Sequence, residues 1–316
     1  MGMVPRTARY LNSEIFLSHC ARPVMALASA AMIVFLTASC VGARSSQPDV
    51  AGRPLSVVTT IPTLADLARN VGGGLVEARP LLSPGADVHS FQTTPKDSVV
   101  IAGASVVIAN GEGLDDFLMP ALTGSMGDSA VLVIASAGVA EVEPGVSLED
   151  PHLWQDPVLA IHYVEQIRDG LIHADPDNAS AYRDNAQRYT LRLRELDLEI
   201  SSILGQVPAG NRRLVSYHRA FSHLGRRYGW RTHALVTDDG AAVTPSDILR
   251  LARVIEDNAL PSVFAEPELP TSALETAANE SQASLASIYA GLAREGPSTY
   301  IDMMLFNAHS LAGNLR

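Results

Sequence analysis

The stretch that decides the fold is Asn178-Ala-Ser-Ala-Tyr182-Arg-Asp-Asn-Ala186-Gln-Arg-Tyr189-Thr-Leu-Arg-Leu193-Arg-Glu-Leu196-Asp-Leu-Glu-Ile200-Ser-Ser-Ile203-Leu-Gly-Gln-Val207. Its apolar residues Tyr182, Ala186, Tyr189, Leu193, Leu196, Ile200, Ile203 and Val207 recur at alternating spacings of four and three. That is one continuous stripe on a single helix, with no glycine before Gly205. At ~1.5 Å per residue such a helix is ~45 Å long, more than one small lobe needs. A coiled coil or a long packed helix is the plainer reading. The sharper one is a rigid spine between two lobes.

Either side of this helix the chain alternates between short apolar runs and helical patterns. Upstream, strands are expected at Leu55–Thr60, Val76–Leu82, Ser105–Ala109 and Val131–Ala135. Helices fall at Pro62–Val71, closed by Gly72-Gly-Gly74, at Pro95–Ala102 and at Asp115–Leu122. Downstream, strands are expected at Leu214–Tyr217, Thr232–Val236, Ser262–Ala265 and Leu285–Tyr289. Helices are expected at Ala220–Tyr228, Pro245–Asn258, Ser272–Ser281 and Tyr300–Leu315. Strand runs with no polar alternation belong to sheets buried on both faces, and strand–helix alternation builds parallel βαβ units. The expected fold is α/β: two Rossmann-like lobes with parallel sheets, at 55–176 and 209–316, joined by a backbone helix at 177–208.

The first 39 residues read as a signal peptide. Arg6, Arg9 and Arg22 precede an uncharged apolar run of 13 residues, Val24–Leu36. That run is shorter than the ~20 residues a membrane-spanning helix requires, and small residues follow it as at a cleavage site. Leu36-Thr-Ala-Ser-Cys40 resembles a bacterial lipobox, with its leucine one place further upstream than usual. Cys40 is therefore the expected lipidated N-terminus, and 40–54 a tether from the membrane; an ordinary secreted chain is the alternative.

Cleavage before Cys40 leaves 277 of the 316 residues. Three Arg and one Glu leave with the signal, so the 23 basic and 34 acidic residues become 20 and 33, a net of −13. Nucleic acid is a poor partner for such a surface, whereas cations are attracted to it. The two cysteines are Cys20, in the signal, and Cys40. No disulfide or thiolate ligand is then available to the body, and a metal site must use His, Asp, Glu, carbonyls or water.

Eight histidines lie beyond the signal. Three occupy turns or strand ends: His89 in Ser83-Pro-Gly-Ala-Asp-Val-His89, His152 in Asp150-Pro-His-Leu-Trp-Gln-Asp-Pro157, and His218 in Val215-Ser-Tyr-His218. Ligands of open α/β sheets bind beyond the carboxyl ends of the strands, so these three are placed to meet in a cleft between lobes. A single loop histidine is more often a surface or capping residue than a ligand; three in similar settings change the balance. His162, His173, His223, His233 and His309 read as core or surface residues. Neither a His-Glu-x-x-His helix, a phosphate loop, a dinucleotide fingerprint nor a Gly-x-Ser-x-Gly elbow is present.

At these segments the chain resembles the cluster A metal-binding lipoproteins of ABC importers, the zinc and manganese solute-binding proteins. The resemblance rests on Pro84 to Phe91 followed by Pro95-Lys-Asp97, Asn110-Gly111, Asp150 to Pro157, His218-Arg-Ala-Phe221 with Tyr228-Gly229, Phe264-Ala-Glu-Pro267 and Tyr300-Ile-Asp-Met-Met304. It implies that His89, His152 and His218 are metal ligands and that the chain is not an enzyme. It also implies a monomer on the outer face of the cytoplasmic membrane, or in the periplasm, with an ABC permease as partner.

One departure stands out. Where the family supplies a fourth, aspartate ligand, this chain reads Tyr289-Ala-Gly-Leu292. Water or another carboxylate must take that place, Glu266 being the first candidate. Three imidazoles favour Zn²⁺ over Mn²⁺, and the spine helix implies local loop movement on loading rather than wide closure. A zinc metallohydrolase also uses three histidines, a siderophore or corrinoid binder shares the architecture, and some relatives serve as adhesins. No motif for a general base appears, and aromatics are scarce for a broad organic pocket.

Overall fold

Valine and isoleucine runs that have no polar face end up in the middle of two sheets. The computed structural model describes residues 53–86, 91–236 and 243–316; the expected signal, Cys40, most of the tether and His89 lie outside them. The first half holds β1 (Leu55–Thr59), α1 (Pro62–Gly72), β2 (Val76–Pro80), α2 (Pro95–Ala102), β3 (Val106–Ala109), α3 (Met119–Ser125), β4 (Val131–Ile134), α4 (Val139–Val142) and α5 (Pro157–Ala174). The long helix α6 (Ala179–Leu204) follows. The second half holds β5 (Arg213–His218), α7 (Ser222–Tyr228), β6 (Arg231–Val236), α8 (Pro245–Asp257), β7 (Ser262–Ala265), α9 (Ser272–Glu280), β8 (Ser284–Ser287) and α10 (Tyr300–Asn314).

Each half forms a four-stranded parallel sheet, in the orders β2-β1-β3-β4 and β6-β5-β7-β8. The expected architecture of two α/β lobes is thus present. In both sheets the chain runs outward from the first strand and then returns past it. The crossover direction therefore reverses between β1 and β3, and between β5 and β7. The carboxyl ends at such a reversal leave a crevice, because the flanking connections leave on opposite sides.

The stripe on α6 is buried along its whole length, from Tyr182 to Val207. Leu191 and Leu198, off the stripe, are exposed. The helix packs against α1, α5 and α10. One continuous apolar core runs from Val57 and Ile108 of the first sheet, through the α6 stripe, to Leu214 and Phe264 of the second. Asp197 adds a polar anchor: its carboxylate accepts from Arg227 Nε at 2.8 Å and Tyr228 Oη at 3.0 Å, tying α6 to α7. At 26 residues the helix is ~39 Å long; it ends at Leu204 with Gly205 as its C-cap, and Val207, the last residue of the stripe, is buried just beyond it.

Two other boundaries differ from expectation for local reasons. The segment at Asp115–Leu122 is split into a 3₁₀ turn, Asp116–Leu118, and α3. Asp115 is committed elsewhere: its buried carboxylate accepts from Thr60 Oγ1 and from the N–H groups of Asn110 and Gly111. Helix α7 starts at Ser222 rather than Ala220, because the Ser222 N–H is held by Asp150.

Candidate metal centre

His152 sits at the end of a turn that Asp150 builds around itself. Asp150 Oδ1 accepts from the His152 backbone N–H at 3.0 Å and contacts ring Nδ1 at 2.7 Å, while Oδ2 accepts from the Ser222 N–H at 2.9 Å. A carboxylate can only accept, so the Nδ1 proton stays on His152 and its Nε2 carries the lone pair. Burial alone would raise the Asp150 carboxyl. The hydrogen bond and charge of His152 outweigh it, with help from the His152 N–H, and hold Asp150 well below the usual carboxylate range. It therefore remains an acceptor at any physiological pH.

The turn is clamped from both lobes. Asn110 Nδ2 donates to the Pro151 carbonyl at 3.1 Å, and Tyr163 Oη donates to Asn110 Oδ1 at 2.8 Å. His223 Nε2 donates to the Asp150 carbonyl at 2.7 Å. His223 is thus a buried structural residue, as the sequence suggested. His162 is also buried and bonds the Ala137 carbonyl, whereas His173 and His309 are exposed.

His218 is the last residue of β5, not a residue past it, and pairs in register with Val236. Glu266 immediately follows β7, so the two residues straddle the crevice of the second sheet. Glu266 Oε1 accepts from the His218 N–H at 3.1 Å, and Oε2 stands 2.5 Å from His218 Nδ1. Nδ1 thus faces the Glu266 carboxylate, and Nε2 lies on the other side of the ring, toward His152.

The two outward nitrogens face each other. His152 Nε2 and His218 Nε2 are 3.4 Å apart, with ring centroids at 5.1 Å and planes at 72°. Where both rings carry their proton on Nδ1, two lone pairs meet across this gap, and a cation between them removes the repulsion. Two imidazole nitrogens bound to one tetrahedral zinc at ~2.0–2.1 Å would be about 3.3–3.4 Å apart. The observed separation fits that geometry.

The pair opens onto a cavity of about 300 Å³ between the lobes, lined among others by Ile61, Trp154, Glu266, Glu268 and Gly291. Trp154 Nε1 and Gln155 Nε2 donate to the Ala290 carbonyl at 2.7 and 2.8 Å, fixing the segment after β8 against the His152 loop. That segment contributes no carboxylate. A β-carbon at Gly291 would meet no described residue closer than Thr63 Oγ1 at 3.8 Å.

Among the described residues, no three His, Cys, Asp or Glu side chains stand together as a metal cluster. Two of the three expected histidines are brought together, and His89 belongs to 87–90, outside the described residues. The role of Asp150 went unassigned in the sequence, although an aspartate two residues before a histidine is the spacing of a side chain that folds back on its own turn. Glu268 carried no sequence signal. Its carboxyl is raised by burial, and further by the neighbouring Glu266 charge.

A model of the family described as ZnuA, zinc-uptake complex component A periplasmic, matches residues 57–314. The chain is 30% identical over 289 residues to the manganese-binding lipoprotein MntA of Halalkalibacterium halodurans, covering 90% of this chain and 96% of that one. It is 29% identical over 225 residues to the iron-binding protein YfeA of Yersinia pestis, covering 70% and 72%. Among solved structures it is similar to the periplasmic zinc-binding protein TroA of Treponema pallidum, with a TM-score of 0.77 and 25% identity, covering 84% of this chain and 99% of that one.

Proposed function

Because the chain belongs to the ZnuA family of metal-binding, substrate-binding components of ABC transporters, we propose that it captures Zn²⁺ in preference to Mn²⁺ outside the cytoplasm and delivers it to a membrane permease. The observation that carries this reading is the pair of Nε2 atoms 3.4 Å apart, each ring held from behind by a carboxylate. His89 is the third ligand in this reading. Glu266 was the first candidate for the fourth position. With both oxygens on His218, it is better assigned to orienting that ring, and water completes the shell.

The metals in the names of similar proteins differ: manganese, iron and zinc. The preference here is argued from the ligands. Neutral imidazoles suit zinc, whereas manganese favours an oxygen-rich shell. Binding needs both Nε2 atoms unprotonated, so protons compete with the metal and affinity should fall as pH drops. Native mass spectrometry of protein purified without added metal should show one zinc per chain. Competition against a chelator at neutral pH should rank Zn²⁺ above Mn²⁺; tighter Mn²⁺ binding would overturn the preference.

Among the described residues no helix is long and apolar enough to cross a membrane. Attachment through a lipid on Cys40 rests instead on the lipobox-like stretch Leu36-Thr-Ala-Ser-Cys40. The variant Cys40→Ala should move the protein from the membrane fraction to the soluble fraction. A variant that stays with the membrane would exclude the anchor while leaving the metal site untouched.

A further inference from the structure

A second cavity, of about 270 Å³, shares no lining residue with the metal cavity. Three helices meet at it. Asp66 and Arg69 come from α1, Tyr189 and Arg192 from α6, and Thr299 and Ile301 from the start of α10. Its floor is buried and its rim is charged. Tyr189 is only 3% exposed, yet its hydroxyl has no hydrogen-bond partner among the described residues. Buried polar groups in native folds are nearly always paired, so an orphaned hydroxyl on a cavity wall marks a place for a ligand or water.

The two arginines supply the charge. Arg192 stands over the Tyr189 ring, 5.7 Å from its centre. Arg69 is braced by one N–H on the Ala78 carbonyl at 2.8 Å. Neither guanidinium forms an ion pair among the described residues. Unspent guanidinium donors beside an unpaired hydroxyl suit an oxyanion.

Asp66 narrows the choice of anion. It is buried, and its Oδ2 accepts from the Tyr300 N–H at 2.9 Å, while Oδ1 has no donor among the described residues. Burial raises its carboxyl, against the Tyr300 N–H and the charges of Arg69 and Arg192. Two guanidinium groups against one carboxylate leave the cavity cationic. A carboxylate can only accept hydrogen bonds, so a bound anion must bring its own proton to it. Sulfate has none at neutral pH, and a phosphate monoester has mostly lost its second. Inorganic phosphate always keeps at least one.

We propose that this cavity binds inorganic phosphate, with Arg69, Arg192 and the Tyr189 hydroxyl as donors and Asp66 as the acceptor that selects a protonated anion. The site bridges three helices, so its occupant stabilises the fold. It stands whether or not the metal reading holds.

The test is calorimetric titration and thermal melting of the purified protein near neutral pH with inorganic phosphate, sulfate and glycerol phosphate. Phosphate should bind saturably and raise the melting temperature, with the other two weaker by about tenfold or more. Tyr189→Phe keeps the ring beneath Arg192 and removes only the hydroxyl. It should weaken phosphate by about ten- to a hundredfold, as losing a hydrogen bond to a charged group does. Without phosphate it should melt no lower than wild type, because the hydroxyl has no partner to lose. Arg192→Gln should weaken phosphate by a similar factor, and both variants should keep wild-type Zn²⁺ affinity. Asp66→Asn can still accept from the Tyr300 N–H while its amide faces the cavity, so it should bind sulfate at least as well as phosphate. No saturable phosphate binding, or binding unchanged in Tyr189→Phe and Arg192→Gln, would overturn the site and leave a crevice for water. Sulfate or glycerol phosphate bound as tightly as phosphate by wild type would overturn the selection by Asp66.

Discussion

Replacing His218 with Ala is expected to weaken Zn²⁺ binding by about two to three orders of magnitude. A structural zinc site gains ~10–16 kcal/mol in total. Sharing that over four ligands gives about 2.5–4 kcal/mol for each, and every 1.4 kcal/mol is tenfold. The substitution has a second consequence, because Glu266 is buried and both its oxygens face His218. Removing the ring leaves one oxygen of that carboxylate without its partner, a loss of ~1–3 kcal/mol to the metal-free fold. Stability and affinity must therefore be measured together. Melting of the metal-free variant reports the first effect. The rise in melting temperature on adding Zn²⁺ reports the second, since a ligand bound to the native state alone raises apparent stability. A variant that keeps wild-type affinity within tenfold would place His218 outside the site.

Why the sequence pointed at His218 at all is instructive. Its position near a strand end was legible because Leu214, Val215 and Tyr217 form a short apolar stretch between Arg213 and His218, broken by Ser216 alone, and strand ends are where α/β sheets bind ligands. The α6 stripe was legible for a similar reason: helical periodicity is written in one dimension and needs no tertiary information. Pairing across distance was not legible. His152 and His218 are 66 residues apart, and nothing local says which nitrogen of each faces the other. That depends on Asp150 and Glu266 occupying the two Nδ1 positions, a property of the folded crevice. The start of α7 was misplaced for the same reason, its first N–H being claimed by Asp150 from 72 residues away. Gly291 shows the converse. The missing carboxylate was readable as a departure from a pattern, but only the structure shows that a β-carbon there would meet no described residue closer than Thr63 Oγ1.

Glu266→Gln is expected to weaken Zn²⁺ binding by about ten- to a hundredfold, the usual cost of removing a carboxylate behind a metal-bound imidazole. The physical route is a change of tautomer. In the native arrangement one carboxylate oxygen accepts from the His218 N–H and the other faces Nδ1, which favours the tautomer with the ring proton on Nδ1 and the lone pair on Nε2, the atom the metal needs. A glutamine has one oxygen and one amide N–H₂. If the oxygen keeps the backbone N–H, the amide donor faces Nδ1, which must then become the acceptor. The ring proton moves to Nε2, the atom the metal needs, and binding has to displace it. The change is local and keeps the volume, so the metal-free fold should survive. Affinity alone does not separate this route from direct ligation by Glu266, because both predict a loss. The tautomer does. Nitrogen-15 shifts of His218 in the metal-free protein should show Nδ1 protonated in wild type and Nε2 protonated in Glu266→Gln. A lost ligand would leave the metal-free tautomer as it was. An unchanged tautomer together with weakened binding would return Glu266 to the first coordination sphere, and an unchanged affinity would leave it as a structural carboxylate.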